Sequence, residues 1–339
     1  MTGKKNLRFG LVGCGYIGER HAALILNFGE LRLVCDIDPV RVKLFSEKYQ
    51  CNGLTDYWEM LKNPIQLDII VICTPNWLHA QQSIMALKCG LHVICEKPMS
   101  LKVSDAVQMI EAAQQNQRIL LIVKQNRYNP PIAYLKRVVE NGKLGKIFSV
   151  SIQGFWNRNI EYYSRSNWKG KIELDGGTLF TQFSHFFDAG CWILGEMICL
   201  KATGSNFAHK GIIEFDDTIT GLVKFGKEIL GCIHFSINAY EQNMEGSFTV
   251  LGEKGSISIG GPYLNKLSYH KVEGLTEPEL DIENPVNDYG YYKGSMNNHK
   301  MIYQHFMHSL SQGDLMHSEF ETSLHTIKAI QSVLQVLSK

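Results

Sequence analysis

Apolar residues along this chain follow two rhythms, and the change between them marks the architecture. Over the first third, short near-continuous apolar runs alternate with amphipathic stretches. The runs Phe9–Val12, Leu31–Cys35, Ile69–Thr74, His92–Glu96 and Leu120–Lys124 read as strands, and Glu19–Phe28, Val40–Tyr49, Asp56–Lys62, Leu78–Cys89 and Val103–Asn116 as helices. Strands that are apolar on both faces, each followed by a helix, predict a doubly wound parallel sheet covered on both sides.

Pro130-Pro131 opens a further helix, Ile132 to Glu140, with proline in the first turn where its missing N–H costs nothing. Beyond Asn141-Gly142 the pattern shortens to alternation. Ile147–Phe155, Leu200–Gly204, Gly211–Phe215, Thr218–Phe225, Glu228–Asn238, Gly246–Leu251 and Gly255–Ile259 read as strands, joined in places by hairpin-type turns at Gly226-Lys227 and Gly252–Gly255. One apolar helix, Gly177 to Leu194, interrupts them. The polar stretch from Gly261 to Asn298 reads as loops, and helices close the chain from His299 to Ser338, packing back toward the first domain. The expectation is an α/β chain of two domains: residues 1–125 as a Rossmann domain, and residues 126–339 as an α+β domain on a large, mostly antiparallel sheet.

Composition narrows the class. With 45% hydrophobic and 20% charged residues the chain is globular, and 34 basic against 33 acidic residues exclude the basic excess of a nucleic-acid surface. No apolar run approaches the roughly 18–20 residues that span a bilayer. The N-terminal residues 1–6 lead straight toward the first strand, unlike a signal peptide. Nine cysteines, an odd number without a CxxC pair, point to a reduced, cytoplasmic protein with no metal site. The exposed face of so large an antiparallel sheet predicts sheet-to-sheet association into a homodimer or homotetramer.

The chemistry starts at Gly13-x-Gly15-x-x-Gly18 after the first apolar run. Gly13 permits the tight turn off the strand, Gly15 the approach of a pyrophosphate to the backbone, and Gly18 close packing of helix on sheet. Tyr16 and Ile17 lie inside this turn, and the helix start offers N–H groups to phosphates. Asp36 ends the second run, eighteen residues beyond Gly18, where a carboxylate accepts from the ribose hydroxyls. Ile37 follows it, with no cation to hold a 2′-phosphate, so the cofactor expected is NAD.

Two further strand ends face the same crevice. Thr74-Pro75-Asn76-Trp77-Leu78-His79 brings Thr74, Pro75 and Asn76 toward the nicotinamide ribose or pyrophosphate; Asn76 equally suits a helix N-cap, and His79 a structural place inside the helix. Val93-Ile94-Cys95-Glu96-Lys97-Pro98 delivers Glu96 and Lys97.

This combination resembles the Gfo/Idh/MocA family of sugar oxidoreductases. The resemblance extends to Lys124-Gln125-Asn126-Arg127-Tyr128-Asn129-Pro130-Pro131 and to the segment Asp175-Gly176-Gly177 through His185 to Asp188, and so covers essentially the whole chain. Many members carry an aspartate four residues before the histidine; here that position is Thr181, followed by Gln182. With the Lys-Gln-Asn-Arg-Tyr-Asn-Pro-Pro string, this looks most like the WlbA/WbpB subgroup. That likeness implies NAD-dependent oxidation of the 3-hydroxyl of UDP-N-acetylglucosaminuronic acid in surface-polysaccharide synthesis, with a 2-keto acid as a possible reoxidant. It also implies that Gln125, Trp168 and Lys169 lie near the cofactor, and Tyr128, Thr181 and Gln182 near the substrate.

Oxidising an alcohol needs a proton acceptor, and histidine is the ready base at neutral pH. His185 is therefore expected as general base with Lys97 holding the hydroxyl, the reverse remaining open. Asp188, at i,i+3 from His185, could orient the imidazole or simply be exposed. Arg127, Arg158 and Arg165 suit a carboxylate or diphosphate, or equally surface pairs or a subunit interface. Other substrates on the same fold, an inositol or another sugar, and a non-catalytic NAD-binding regulator are the competing readings.

Overall fold

The computed structural model describes residues 7–62, 66–280, 286–288, 290 and 293–337. The chain divides into two compact units, the described residues of Met1–Val123 with His299–Phe320, and those of Lys124–Asn298 with Glu321–Lys339.

The first unit alternates strand and helix: β1 (Arg8–Val12), α1 (Tyr16–Ile25), β2 (Glu30–Cys35), α2 (Pro39–Tyr49), β3 (Asn52–Leu54), α3 (Tyr57–Lys62), β4 (Ile69–Ile72), α4 (His79–Lys88), β5 (His92–Cys95), α5 (Val103–Gln115) and β6 (Leu120–Ile122). All pairings are parallel, in the order β3-β2-β1-β4-β5-β6. The order reverses between β1 and β4, and the crevice outside the carboxyl ends of such a sheet is where ligands bind. All four residues of β4 are buried, as a strand covered on both faces requires. Asp38 starts α2, its carboxylate accepting the Val40 N–H at 2.9 Å, with Pro39 in the first turn.

The second unit runs from α6 (Pro130–Glu140) and β7 (Ile147–Phe155) through four short or medium helices, α7 (Ile160–Ser164), α8 (Ile172–Asp175), α9 (Thr178–Thr181) and α10 (Ser184–Leu194). Then come β8 (Met197–Ser205), β9 (Thr218–Phe225), β10 (Ile229–Ser236), β11 (Glu245–Gly252), β12 (Gly255–Gly260), β13 (Lys266–Val272), β14 (Val286–Asp288) and β15 (Lys293–Met296). The large sheet has the order β13-β12-β11-β7-β10-β9-β8, antiparallel except for β7 beside β10. Helix α10 is apolar nearly all round and buried nearly all round. Phe183, just before it, stacks on Phe235 of β10 at 4.7 Å between centroids, and Trp156, Phe186 and Phe187 complete the aromatic core. The other face of the sheet exposes Ile198, Leu222, Leu230, Leu251 and Tyr269. Two helices close the chain, α11 (His299–Gln312) and α12 (His317–Leu337); α11 belongs to the first unit, and the division falls within α12.

Several expectations are corrected here. The apolar run Gly211–Phe215 is a turn, not a strand: Asp217 accepts the Phe207 and Ala208 N–H groups at 3.0 and 2.8 Å and closes the chain on itself. The helix expected from Gly177 to Leu194 is broken between Thr181 and Ser184. The stretch expected as loops from Gly261 to Asn298 contributes the edge strand β13 and the β14–β15 pair; its residues 281–285, 289 and 291–292, like residues 1–6 and Ser338, lie outside the described residues. Among the described residues no helix is long and apolar enough to cross a membrane.

Candidate active site

In the first unit the strand ends assemble a nucleotide cradle. Gly13 sits at φ +96°, and a Cβ there would lie 2.5 Å from the Cys73 carbonyl oxygen; at Gly18 it would fall closer still to the Gly13 carbonyl oxygen. Neither contact is possible for a real side chain, so the turn is closed to anything but glycine. Gly15 differs: a Cβ would meet no protein atom within 4 Å, which leaves its backbone open on the side where a pyrophosphate approaches. Tyr16 and Ile37 are exposed and Ile17 is half-buried. Asp36 braces this cradle. Its Oδ2 accepts the Cys14 N–H at 2.7 Å and its Oδ1 the Asp38 N–H at 2.9 Å. An ionised carboxylate has about four acceptor positions, so capacity remains for a ribose diol. The residues fit NAD.

Beyond β4, Thr74 Oγ1 donates to Gln82 Oε1 at 2.6 Å. Asn76 is buried inside a short 3₁₀ turn, Asn76–Leu78, whose N-cap is Pro75; the N-cap role open to Asn76 in the sequence is not taken. His79 is buried, with Nδ1 2.7 Å from the Pro98 carbonyl and Nε2 2.8 Å from the Thr74 carbonyl. Both ring nitrogens face backbone carbonyls, so His79 sits between the two loops and is turned to the backbone. Beyond β5, Glu96 is buried and Lys97 half-buried. The Glu96 Oε2 accepts the Lys97 N–H at 3.1 Å, and its Oε1 lies 3.0 Å from His21 Nε2.

The second unit holds the other expected residues. His185 is buried in the first turn of α10. The Gln125 amide nitrogen lies 3.4 Å from His185 Nε2 and 2.8 Å from Ser295 Oγ. Asp188 is not exposed, and a pair of cations claims it. Arg127 grips it with two bonds of 2.8 Å, and Lys124 Nζ lies 3.0 Å away. Burial pushes the Asp188 carboxyl up, but Arg127 and Lys124 outweigh that and hold it well below the usual carboxylate range. Arg127 is thus a buried structural partner. Tyr128 follows it at the end of a 3₁₀ turn, half-buried.

Arg158 is buried, with its guanidinium 5.2 Å from the centroids of Trp156 and Tyr162 and 3.1 Å from Asn243 Oδ1. Lys169 Nζ lies 3.8 Å from the same Tyr162 ring, with Trp168 half-buried beside it. Arg165 is exposed and pairs with Glu161 one turn back, the surface pair that was open to it. Gln182 Nε2 donates to Tyr162 at 3.1 Å. Thr181 donates to the Asp175 carboxylate, whose other oxygen accepts the Gly170 N–H at 2.8 Å. At the Thr181 position a carboxylate would face Asp175 at hydrogen-bond range, so a neutral donor suits it.

The first unit matches a model described as an oxidoreductase family with an NAD-binding Rossmann fold over residues 7–124, and residues 132–258 match the GFO/IDH/MocA C-terminal domain. The chain belongs to the Gfo/Idh/MocA family. It is an NAD-dependent oxidoreductase of this sugar- and polyol-oxidising family. Among solved structures it is similar to the WlbA dehydrogenase of Bordetella pertussis in complex with NADH and UDP-GlcNAcA, with TM-score 0.86 and 29% identity over 99% of this chain and 97% of that one. The Chromobacterium violaceum WlbA, in complex with the same two ligands, gives TM-score 0.83 and 30% identity over 99% and 95%. The myo-inositol 2-dehydrogenase of Thermotoga maritima is 29% identical over 262 residues, 74% of each chain.

Proposed function

We propose that this enzyme oxidises the C3 hydroxyl of UDP-N-acetylglucosaminuronic acid to the 3-keto sugar, a step toward a surface polysaccharide. The observation that carries this reading is the similarity, over nearly the whole chain, to two dehydrogenases whose structures hold NADH and UDP-GlcNAcA. NAD, when bound, accepts the hydride. The protein's part is to hold the sugar and receive a proton. We assign the proton to His185, whose ring is held in the first turn of α10 beside Gln125, and we assign Lys97 the task of holding and polarising the hydroxyl. With Arg127 committed to Asp188 and Arg165 to Glu161, Lys169 beside Tyr162 is the better-placed cation for the uronic carboxylate or the diphosphate. The exposed apolar stripe of the large sheet supports self-association through that face. Reoxidation by a 2-keto acid completes the proposal.

The direct test mixes purified protein and NAD with UDP-N-acetylglucosaminuronic acid, UDP-N-acetylglucosamine and myo-inositol in parallel and follows NADH absorbance. Reduction with the uronic acid alone is expected. Reduction with myo-inositol alone would replace the substrate. Lys97→Ala and His185→Ala are each expected to lower kcat by about 10²–10⁴-fold while NADH still binds.

A further inference from the structure

Behind Lys97 lies a chain of buried polar groups that runs through the first unit. Tyr303 of α11 meets His21 Nδ1 through its hydroxyl at 2.8 Å, His21 Nε2 meets Glu96 Oε1 at 3.0 Å, and Glu96 Oε2 receives the Lys97 N–H at 3.1 Å. His299 packs edge to face on His21, 5.6 Å between centroids, with its Nε2 3.5 Å from the same Oε1. Exposure is 0% at His21, 6% at Glu96, 1% at His299 and 0% at Tyr303, so water cannot substitute for any link. The links join residues 75 and 282 positions apart in sequence, and nothing about α1 or α11 as helices demands histidine or tyrosine at these places.

The two carboxylate oxygens are divided between these tasks. With Oε1 fixed from behind, the plane of the carboxylate is fixed, and Oε2 can present itself to the Lys97 peptide in one direction only. We propose that His21 and Tyr303, with His299 packed against the His21 ring, are positioning residues that lock Glu96 and, through it, the backbone of Lys97, so that the lysine side chain leaves the β5 end in a single orientation. This rests on the role given to Lys97 above.

The same three side chains, His21, Glu96 and His299, also place one possible metal-ligand atom each within 4.8 Å of one another. Zinc bonded at about 2.0–2.2 Å in a tetrahedron would hold two donor atoms about 3.4 Å apart. The 3.0 Å between His21 and Glu96 is a charge-assisted hydrogen bond instead.

The test compares His21→Leu, which removes both links, with His21→Gln, whose amide nitrogen can stand where Nε2 stood, and with Tyr303→Phe, which removes one hydroxyl and keeps the ring. Turnover is followed with UDP-N-acetylglucosaminuronic acid and NAD, NADH affinity by fluorescence, and the Lys97 geometry in a crystal structure of each variant with NADH. His21→Leu is expected to lose at least tenfold in kcat with KM and NADH affinity within twofold of the parent, His21→Gln to recover most of that loss, and Tyr303→Phe to lose two- to fivefold. In the variant crystals the Lys97 peptide is expected to rotate or its side chain to split between orientations; this readout needs no turnover and decides the matter if the sugar is not the substrate. An unmoved Lys97 in His21→Leu, or in Tyr303→Phe should the leucine variant fail to fold, overturns the proposal. So does a kcat loss matched by equal loss of NADH binding, or one equivalent of zinc in the purified protein. Lys97→Ala run alongside separates the two readings: full turnover there sinks the function of Lys97, whereas its loss there with unchanged kcat in His21→Leu sinks only the positioning role.

Discussion

Glu96 and Asp188 are both buried carboxylates, each near a residue proposed for the chemistry, and they are held by different partners. Asp188 faces an ammonium and a guanidinium, and the guanidinium keeps its charge at any pH at which the protein is used. Glu96 faces two buried imidazole rings instead, those of His21 and His299. Burial pushes the Glu96 carboxyl up, yet His21 bonded to it and His299 beside it hold it well below the usual carboxylate range. His299 itself is driven down by burial to about 4, so near neutral pH it is an uncharged ring against the carboxylate. Permanent charges make the Arg127–Asp188 pair part of the frame. The Glu96 cluster instead relies on imidazole rings, of which His299 is neutral near pH 7.

The largest effect should come from breaking the permanent pair. Asp188→Ala leaves Arg127 and Lys124 buried without a counter-charge, and removal of one partner from such a pair costs about 3–5 kcal/mol. Urea unfolding would measure it; a loss under about 1 kcal/mol would mean that the cations find solvent. The second test is acid. His92, like His299, is pushed down to about 4, by burial and by Arg118, and its Nδ1 accepts the Ile119 N–H at 3.0 Å, which a protonated ring cannot do. Unfolded histidine titrates near 6.5. Between about 6.5 and 4 the unfolded chain therefore binds protons that the folded first unit refuses, and stability falls as pH is lowered through that window. For Asp188 the sign is the same but the window lies lower: its folded value is below its unfolded value near 3.9, so its contribution persists above that pH and is lost only below it. Hydrogen exchange at pH 7 and pH 5 should show protection falling in β5, β6 and α11 while α10 holds. Equal loss in both would erase the contrast.

A middle-sized effect is expected for Glu96→Gln. It keeps an acceptor and the shape but removes the charge, at a cost of about 1–3 kcal/mol for imperfectly satisfied buried partners. If it matched Asp188→Ala, the two carboxylates would be held by the same means after all.

What the sequence made legible follows the range of each interaction. The glycine turn, Asp36 and the Glu96-Lys97-Pro98 turn are local: each is written in consecutive residues whose backbone needs are visible. The partners of Glu96 are not, because His21 and His299 come from helices distant in sequence and leave no period or motif. Asp188 and Arg127 were hidden for the same reason, as a charge inside an apolar helix shows its partner only when the chain folds. Strand β13, Lys-Leu-Ser-Tyr-His-Lys-Val, read as loop because an edge strand with polar residues on its exposed face lacks the apolar run that betrays a central one.

A third buried carboxylate sharpens the comparison at the smallest scale. Asp175 is 1% exposed, and two of its bonds come from neutral donors, the Gly170 N–H and the Thr181 hydroxyl. A neutral donor does not titrate, and removing one leaves the other bond to Asp175 in place, so a single deletion should cost the least. Thr181→Val removes one hydroxyl at nearly constant volume, and a loss of about 0.5–1.5 kcal/mol is expected. The bond also ties α9 to the segment carrying Trp168 and Lys169 through the Gly170 contact, so the variant should raise KM for the sugar more than it lowers kcat if Lys169 recognises the substrate. A loss as large as that of Asp188→Ala would show that the Thr181 hydroxyl shields Asp175 from a charge problem of its own, and the ranking by partner type would fall with it.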